Sequence, residues 1–201
     1  MEDLLPPPWL VGMARSGRSG DGPGPPDERP RSAVLVLIAS GRPAGRTSRG
    51  DDGLRVLLTR RSQGMRTFPG AWTFPGGGAK PGDPDATATA LREAREETGL
   101  VPESVTIVGR LLPRAGGAYL LTPVLGWSSD PDFAAPPDPA EVSDLWWAAV
   151  DDLGALARSG ARWMPDGSVE EIPPATRSIL AELGAASRAG GTQAGGPASA
   201  T

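Results

Sequence analysis

The stretch SAVLVLIAS, residues 32–40, constrains the fold more than any other part of the chain. It is a continuous apolar run rich in Val and Ile, with no polar alternation, so it reads as a strand buried inside a sheet. LRVLLTRR (54–61) reads as a second strand, and AWTFPGGG (71–78) as a third that ends in a glycine turn. SVTIVGRLL (104–112), AYLLTPVLGW (118–127) and VSDLWWAAV (142–150) continue the sheet, with a Pro-rich loop at 128–141. The clearest helix is PDATATALREAREET (84–98). Asp83 suits its N-cap, Pro84 its first helical position and Gly99 its stop. Ala90, Leu91 and Ala94 offer a narrow inward stripe whose small side chains let the helix pack close to a sheet. A short helix is expected at 151–158 and a last one at about 174–186. Strands, one strong helix, more strands and then helices make an α/β fold, a mixed sheet with helices on both faces.

The 28 glycines and 23 prolines are too many for those elements, so they belong to loops and ends. Residues 12–30 carry Gly, Pro and charge without periodicity. The expected organisation is a disordered arm at 1–30, one domain at 31–188 and a disordered tail at 189–201. Within the arm, LPPPWL is either a patch that docks on the domain or a loosely packed end. On the loop 41–53, Arg42, Arg46 and Arg49 could reach a phosphate, but a solvated loop is the simpler account. No stretch approaches the roughly 20 apolar residues of a membrane span, and the acidic, Pro-broken start is no secretory signal. The expected location is the cytoplasm. A net charge of −4 argues against nucleic acid held by bulk charge. Neither nucleic acid nor a membrane is an expected partner.

There is no cysteine and no histidine. Disulfides, thiolate zinc sites, Ser-His-Asp triads and His bases are therefore excluded. Thr59 and Ser62 have no imidazole to activate them. Carboxylates, arginines, Tyr119 and the single lysine, Lys80, remain, and an all-oxygen site points to Mg²⁺ or Mn²⁺. In LREAREETGL (91–100), Glu93, Glu96 and Glu97 are spaced three and four apart and repel one another. The preceding turn, FPGGGAKPGD, places Gly76 and Gly77 where backbone can approach an anionic ligand. Carboxylates beside a phosphate site call for a divalent cation between them. The competing account is a solvated charged helix laced by Arg92 and Arg95.

Gly77-x5-Asp83-x8-Arg92-Glu93-Ala94-x-Glu96-Glu97-x-Gly99-Leu100 resembles the Nudix box, G-x5-E-x7-R-E-U-x-E-E-x-G-U, where U is aliphatic. REAREETGL fits at every fixed position; Asp83 replaces the usual Glu, and one extra residue precedes Arg92. LLTRRSQGMRTFPGAWTFPGG (57–77) fits L-L-T-x-R-S-x3-R-x3-G-x3-F-P-G-G, which resembles the signature of the coenzyme A pyrophosphatases of that family. The likeness covers roughly 31–150, and the stretch GSVEEIPPATRSIL is closer to a peroxisomal-type branch. The resemblance implies a Nudix α/β/α sandwich and hydrolysis of a nucleoside diphosphate linked to another moiety. It implies Mg²⁺ or Mn²⁺ held by Glu93, Glu96 and Glu97 with a backbone carbonyl near Gly77, and Arg92 orienting a glutamate of the helix. Glu97 or Glu96 is then a candidate base, and Glu141, on the Pro-rich loop, is another.

Arg61 and Arg66 lie in the second signature and suit phosphate groups through their rigid fork of donors. Gly76 and Gly77 would contact the same substrate. Trp127, Trp146 and Trp147 could stack on adenine, but their strand-like runs favour the core. The expected substrate is coenzyme A or an acyl-coenzyme A, cleaved to 3′,5′-ADP and (acyl-)4′-phosphopantetheine. ADP-ribose or another nucleoside diphosphate derivative is the alternative substrate. A nucleotide-binding module without catalysis is the alternative class, which the complete REAREETGL argues against. Family members are often dimers, so a homodimer is one expected assembly.

Overall fold

In the computed structural model, which describes residues 5–17, 29–40, 46–47, 53–163 and 169–193, the apolar run lies at the centre of the sheet. In chain order the elements are α1 (Pro8–Gly17), β1 (Arg31–Ala39), β2 (Arg46–Thr47), β3 (Arg55–Arg61), β4 (Trp72–Thr73), β5 (Gly76–Gly78) and α2 (Ala86–Thr98). Then follow β6 (Thr106–Arg110), β7 (Arg114–Gly116), β8 (Tyr119–Ser128), β9 (Val142–Ala149), α3 (Leu153–Ser159), β10 (Ala161–Trp163), β11 (Val169–Glu171) and α4 (Pro174–Gln193). The main path of the sheet is β2-β9-β3-β1-β8-β6, with β4, β5 and β7 pairing β3, β1 and β8, while β10 and β11 form a separate ribbon. β1 runs parallel to β8 from Arg31↔Leu120 to Ala39↔Ser128 and antiparallel to β3 and β5, so the sheet is mixed.

The period of a strand explains why β1 has no polar alternation. Leu35, Leu37 and Ala39 join Leu57, Ala90, Ala94 and Trp147 on the side that α2 covers. Val36 and Ile38 point the other way, toward Leu10, Phe74, Trp127, Trp146, Ile179, Leu180 and Leu183. Both faces of the sheet are thus buried beneath helices, an α/β/α sandwich. Trp127, Trp146 and Trp147 are core residues. Trp72 meets Trp146 edge to face with ring centroids 5.5 Å apart.

Two expectations about the ends differ from what is observed. Residues 8–17, assigned to an unstructured arm, form α1 and bury Leu10, Met13 and Ala14. These three are spaced three and four apart, the stripe of a helix that docks. Close approach is possible because the facing residues are small. A Cβ on Gly190 of α4 would lie 2.8 Å from Trp9 Cβ, and one on Gly109 of β6 2.7 Å from Ala14 Cβ. The last helix continues to Gln193, past the expected limit. Most of the rest of the arm, residues 1–4 and 18–28, lies outside the described residues, as do residues 194–201 of the tail and Arg42 and Arg49. Among the described residues no helix is long and apolar enough to cross a membrane.

Candidate active site

The glutamates are placed by α2, whose two ends fix its register. Gly99 adopts the left-handed conformation (φ 75°) and its N–H donates to Arg95 O, closing the helix where the sequence predicts. The start is two residues later than expected. Asp85, not Asp83, is the N-cap, and its carboxylate accepts from Ala88 N–H at 2.9 Å. Asp83 serves Arg92 instead: Arg92 Nε and Nη2 donate to its two oxygens at 2.9 and 2.7 Å. Its remaining capacity takes Lys80 N–H and the Thr89 hydroxyl. Arg92, above all, holds Asp83 well below the usual carboxylate range, and Asp83 in turn raises Arg92.

Arg92 is the staple of the site. Besides Asp83 it donates to Gly78 O at 3.0 Å, to Glu93 at 2.6 Å and to Glu96 at 3.1 Å. One guanidinium therefore ties the glycine turn, the loop before the helix and two of the three glutamates together. The family resemblance implies that Arg92 orients a glutamate of the helix, and Glu93 and Glu96 are the two glutamates it contacts.

The three glutamates occupy different environments. Glu97 is 4% exposed, and its Oε2 accepts from Gly76 N–H at 3.0 Å. Glu93 is 9% exposed and lies over the next glycine, where a Cβ on Gly77 would sit 2.6 Å from its Oε2. Glu96 has a side chain 47% exposed and is turned to Lys80 Nζ at 2.9 Å. Lys80, with Arg92, keeps Glu96 below its ordinary range. Burial pushes Glu97 from an ordinary 4.5 up to about 8; Gly76 N–H and Arg61 oppose that rise, while the charges of Glu93 and Glu141 add to it.

Glu141 belongs to this cluster because its loop is pinned to the end of α2. Asp138 N–H donates to Glu97 O, Ala134 N–H to Gly99 O, and Leu100 bridges Phe133. Arg61 also acts on Glu97, with its own Nε donating to Thr67 O at 2.9 Å. Arg66 is exposed on the following loop and is not among the residues that line the adjoining cavity.

That cavity holds about 480 Å³ and is floored by Gly76, Gly77 and Gly78, with Arg61, Thr73 and Phe74 beside them. The glutamates stand behind the glycine floor rather than lining it. Three other parts of the wall are Phe68, Tyr119 and the first turn of α4 at Thr176; sequence reasoning missed Phe68 and Thr176 and named Tyr119 only as a side chain left for acid-base chemistry. They are far apart in the chain, and only the parallel register of β1 and β8 and the return of α4 bring them together. A larger hollow of about 600 Å³ between α1, α4 and the 111–114 turn contains none of the candidate residues.

The donor set fits a hard divalent cation. Two buried carboxylates lie on adjacent glycines, a third is nearby on the same helix, and no nitrogen or sulfur ligand competes. Burial, and after it the charges of Glu93 and Glu141, raise the Glu97 carboxyl, and a bound cation would favour its ionised form. As they stand, no three carboxylates among the described residues converge closely enough to grip an ion; Glu96 is drawn aside by Lys80.

A family model described as NUDIX domain matches residues 29–167. The chain belongs to the Nudix family. Among its relatives, peroxisomal coenzyme A diphosphatase NUDT7 of Mus musculus is 42% identical over 99 residues, 49% of this chain and 42% of that protein. NudL of Photorhabdus laumondii, described as an uncharacterized Nudix hydrolase, is 38% identical over 103 residues, 51% of this chain and 54% of that protein. Nudix hydrolase 22, chloroplastic, of Arabidopsis thaliana is 45% identical over 116 residues, 56% of this chain and 35% of that protein. The chain spans about half the length of these curated relatives, or less. Among solved structures, a C. elegans Ap4A hydrolase binary complex has a TM-score of 0.52 and 22% identity, covering 80% of this chain and 98% of that chain. That likeness shows the Nudix fold.

Proposed function

We propose that the protein is a Mg²⁺- or Mn²⁺-dependent pyrophosphohydrolase that cleaves coenzyme A or acyl-coenzyme A to 3′,5′-ADP and (acyl-)4′-phosphopantetheine. One juxtaposition carries the reading: Glu93 and Glu97 stand directly behind the glycine floor of a cavity with Arg61 at its side. The signature at 57–77 and the similarity to a coenzyme A diphosphatase support this choice of substrate. Glu93, Glu96 and Glu97, with the Gly77 main chain, would hold the cation, which supplies Lewis acidity for a phosphoryl oxygen. Lys80 releases Glu96 for this purpose. Gly76, Gly77 and Arg61 position the pyrophosphate, and Arg66 adds positive charge near the mouth. Water attacks one phosphorus, its proton passes to Glu97 or Glu141, and the bridging oxygen leaves with the other phosphate. Arg92 keeps Glu93 and Glu96 in place.

Product analysis by mass spectrometry tests this. Coenzyme A, acetyl-coenzyme A, ADP-ribose and a nucleotide sugar are incubated side by side with Mg²⁺ or Mn²⁺. Release of 3′,5′-ADP, absent with Glu97→Gln, is the expected result. Cleavage of ADP-ribose alone would replace the substrate, and binding without cleavage of any compound would sink the hydrolase reading.

Two neighbouring glycines separate fold from function. Gly76→Ala puts a Cβ 2.3 Å from Ala33 O and 2.6 Å from Val34 Cα, main chain that cannot yield. It should lower the melting temperature by about 5 °C or more. For Gly77→Ala the three nearest atoms all belong to the Glu93 carboxylate, the far end of a flexible side chain. It should leave the melting temperature of the metal-free protein nearly unchanged while weakening Mn²⁺ binding about tenfold or more. Thermal melts and Mn²⁺ titrations of both variants check the contrast.

A further inference from the structure

The first turn of α4 forms part of the cavity wall through Pro174, Ala175 and Thr176. Thr176 is 6% exposed, yet its hydroxyl has no hydrogen-bond partner among the described residues. That hydroxyl is not sealed away from the cavity that Thr176 lines, so it is free to bond to a ligand there. The helix backbone points the same way. Arg177 N–H is the first to bond back, to Pro173 O at 2.9 Å, so the N–H groups of Ala175 and Thr176 precede the helical ladder. No acidic side chain occupies this turn, which leaves its partial positive charge uncompensated.

Two exposed rings border the same cavity. Phe68 is 41% and Tyr119 44% exposed, against a core that buries the tryptophans. Phe68 is also the one non-glycine residue with positive φ (51°) among the described residues. Such a conformation is unfavourable and persists where the surroundings demand it, often at ligand clamps. Open rings suit a planar base, and the helix end beside them suits an anion. Base and anion are joined through one ribose in adenosine 3′-phosphate.

We infer that the first turn of α4, with the Thr176 hydroxyl, binds the 3′-phosphate of the substrate's adenosine while Phe68 and Tyr119 lie against its base. Thr176 is then the residue that separates 3′-phosphorylated nucleotides from plain ones. The inference rests on the coenzyme A reading proposed above and adds a specificity determinant to it.

Calorimetric binding of 3′,5′-ADP and 5′-AMP to the full chain, without turnover, tests it. The wild type should bind 3′,5′-ADP about tenfold more tightly than AMP. Thr176→Val, isosteric but without the hydroxyl, should erase most of that preference and leave AMP affinity unchanged. Thr176→Ser should keep the preference. In kinetics Thr176→Val should raise KM for coenzyme A toward that for 3′-dephospho-coenzyme A, with kcat unchanged. A wild type without preference, or a Thr176→Val variant that keeps it or weakens both nucleotides equally, overturns the subsite. If the preference depends on Thr176 but no coenzyme A is cleaved, the subsite stands and the reaction assignment fails. If coenzyme A is cleaved without that preference, the reaction stands and the subsite fails.

Discussion

Glu97→Gln should lower turnover by roughly 10²–10⁴-fold and at the same time make the metal-free protein more stable at pH 8. The first effect follows from removing a carboxylate that the proposed mechanism uses to hold the cation or to take a proton. The second follows from burial. Gln has the shape of Glu, and its carbonyl can still accept Gly76 N–H, so the packing around position 97 survives. What disappears is a charge that the fold resists. The carboxyl titrates near 8 in the folded protein against an ordinary 4.5. Between those values the folded state binds the proton that the unfolded state has lost. Stability of the wild type therefore falls as pH rises from about 4.5 to about 8, by roughly 4 kcal/mol. The glutamine variant lacks that slope. Urea melts in a chelator at pH 5, 6.5 and 8 should give converging stabilities at pH 5 and a more stable variant at pH 8. A variant that still turns over at the wild-type rate would remove Glu97 from the mechanism, whatever the melts show.

The sequence speaks clearly where the signal is local. The strand at 32–40 needs only its composition, and the end of α2 needs only Gly99. The start of α2 was ambiguous because Asp83-Pro84-Asp85 offers two good caps two residues apart. The ion pair that draws Asp83 to Arg92 decides between them, and it is a tertiary contact. α1 was hidden for a similar reason. Three prolines and Gly12 suggest a loose end, while the buried stripe Leu10, Met13, Ala14 has meaning only once Gly109 and Gly190 open places for it. The glutamates of the site were legible because one helix carries them. Which of them would be buried was not, since that depends on Lys80 reaching across from the glycine loop to Glu96. Trp127, Trp146 and Trp147, which could have stacked on adenine, went to the core, and the rings left open at the cavity are Phe68 and Tyr119. Their place at the cavity is not legible in the chain, because the loop, the start of β8 and the first turn of α4 meet only in the folded protein.

Affinity for Mg²⁺ or Mn²⁺ should rise about tenfold per pH unit between pH 6 and 8 and level off above that. In the proposed site a cation would need Glu97 as a carboxylate, but burial keeps the proton on it up to about pH 8. Below that value each binding event displaces one proton, so the apparent affinity follows the fraction already ionised. Glu96 does not add to the slope, because Lys80 and Arg92 hold it ionised throughout this range. Calorimetric Mn²⁺ titrations at pH 6, 7 and 8, in two buffers of different ionisation enthalpy, read the proton count directly. About one proton should be released at pH 6.5 and almost none at pH 9, while Glu97→Gln should bind weakly with a flat profile. A flat wild-type profile without proton release would mean that Glu97 is not a ligand. Saturating metal reverses the stability trend of the free protein. It binds the folded state alone and binds it best at high pH, so its stabilising effect should be larger at pH 8 than at pH 6. The same buried carboxyl that weakens the empty protein at alkaline pH therefore makes the loaded one strongest there.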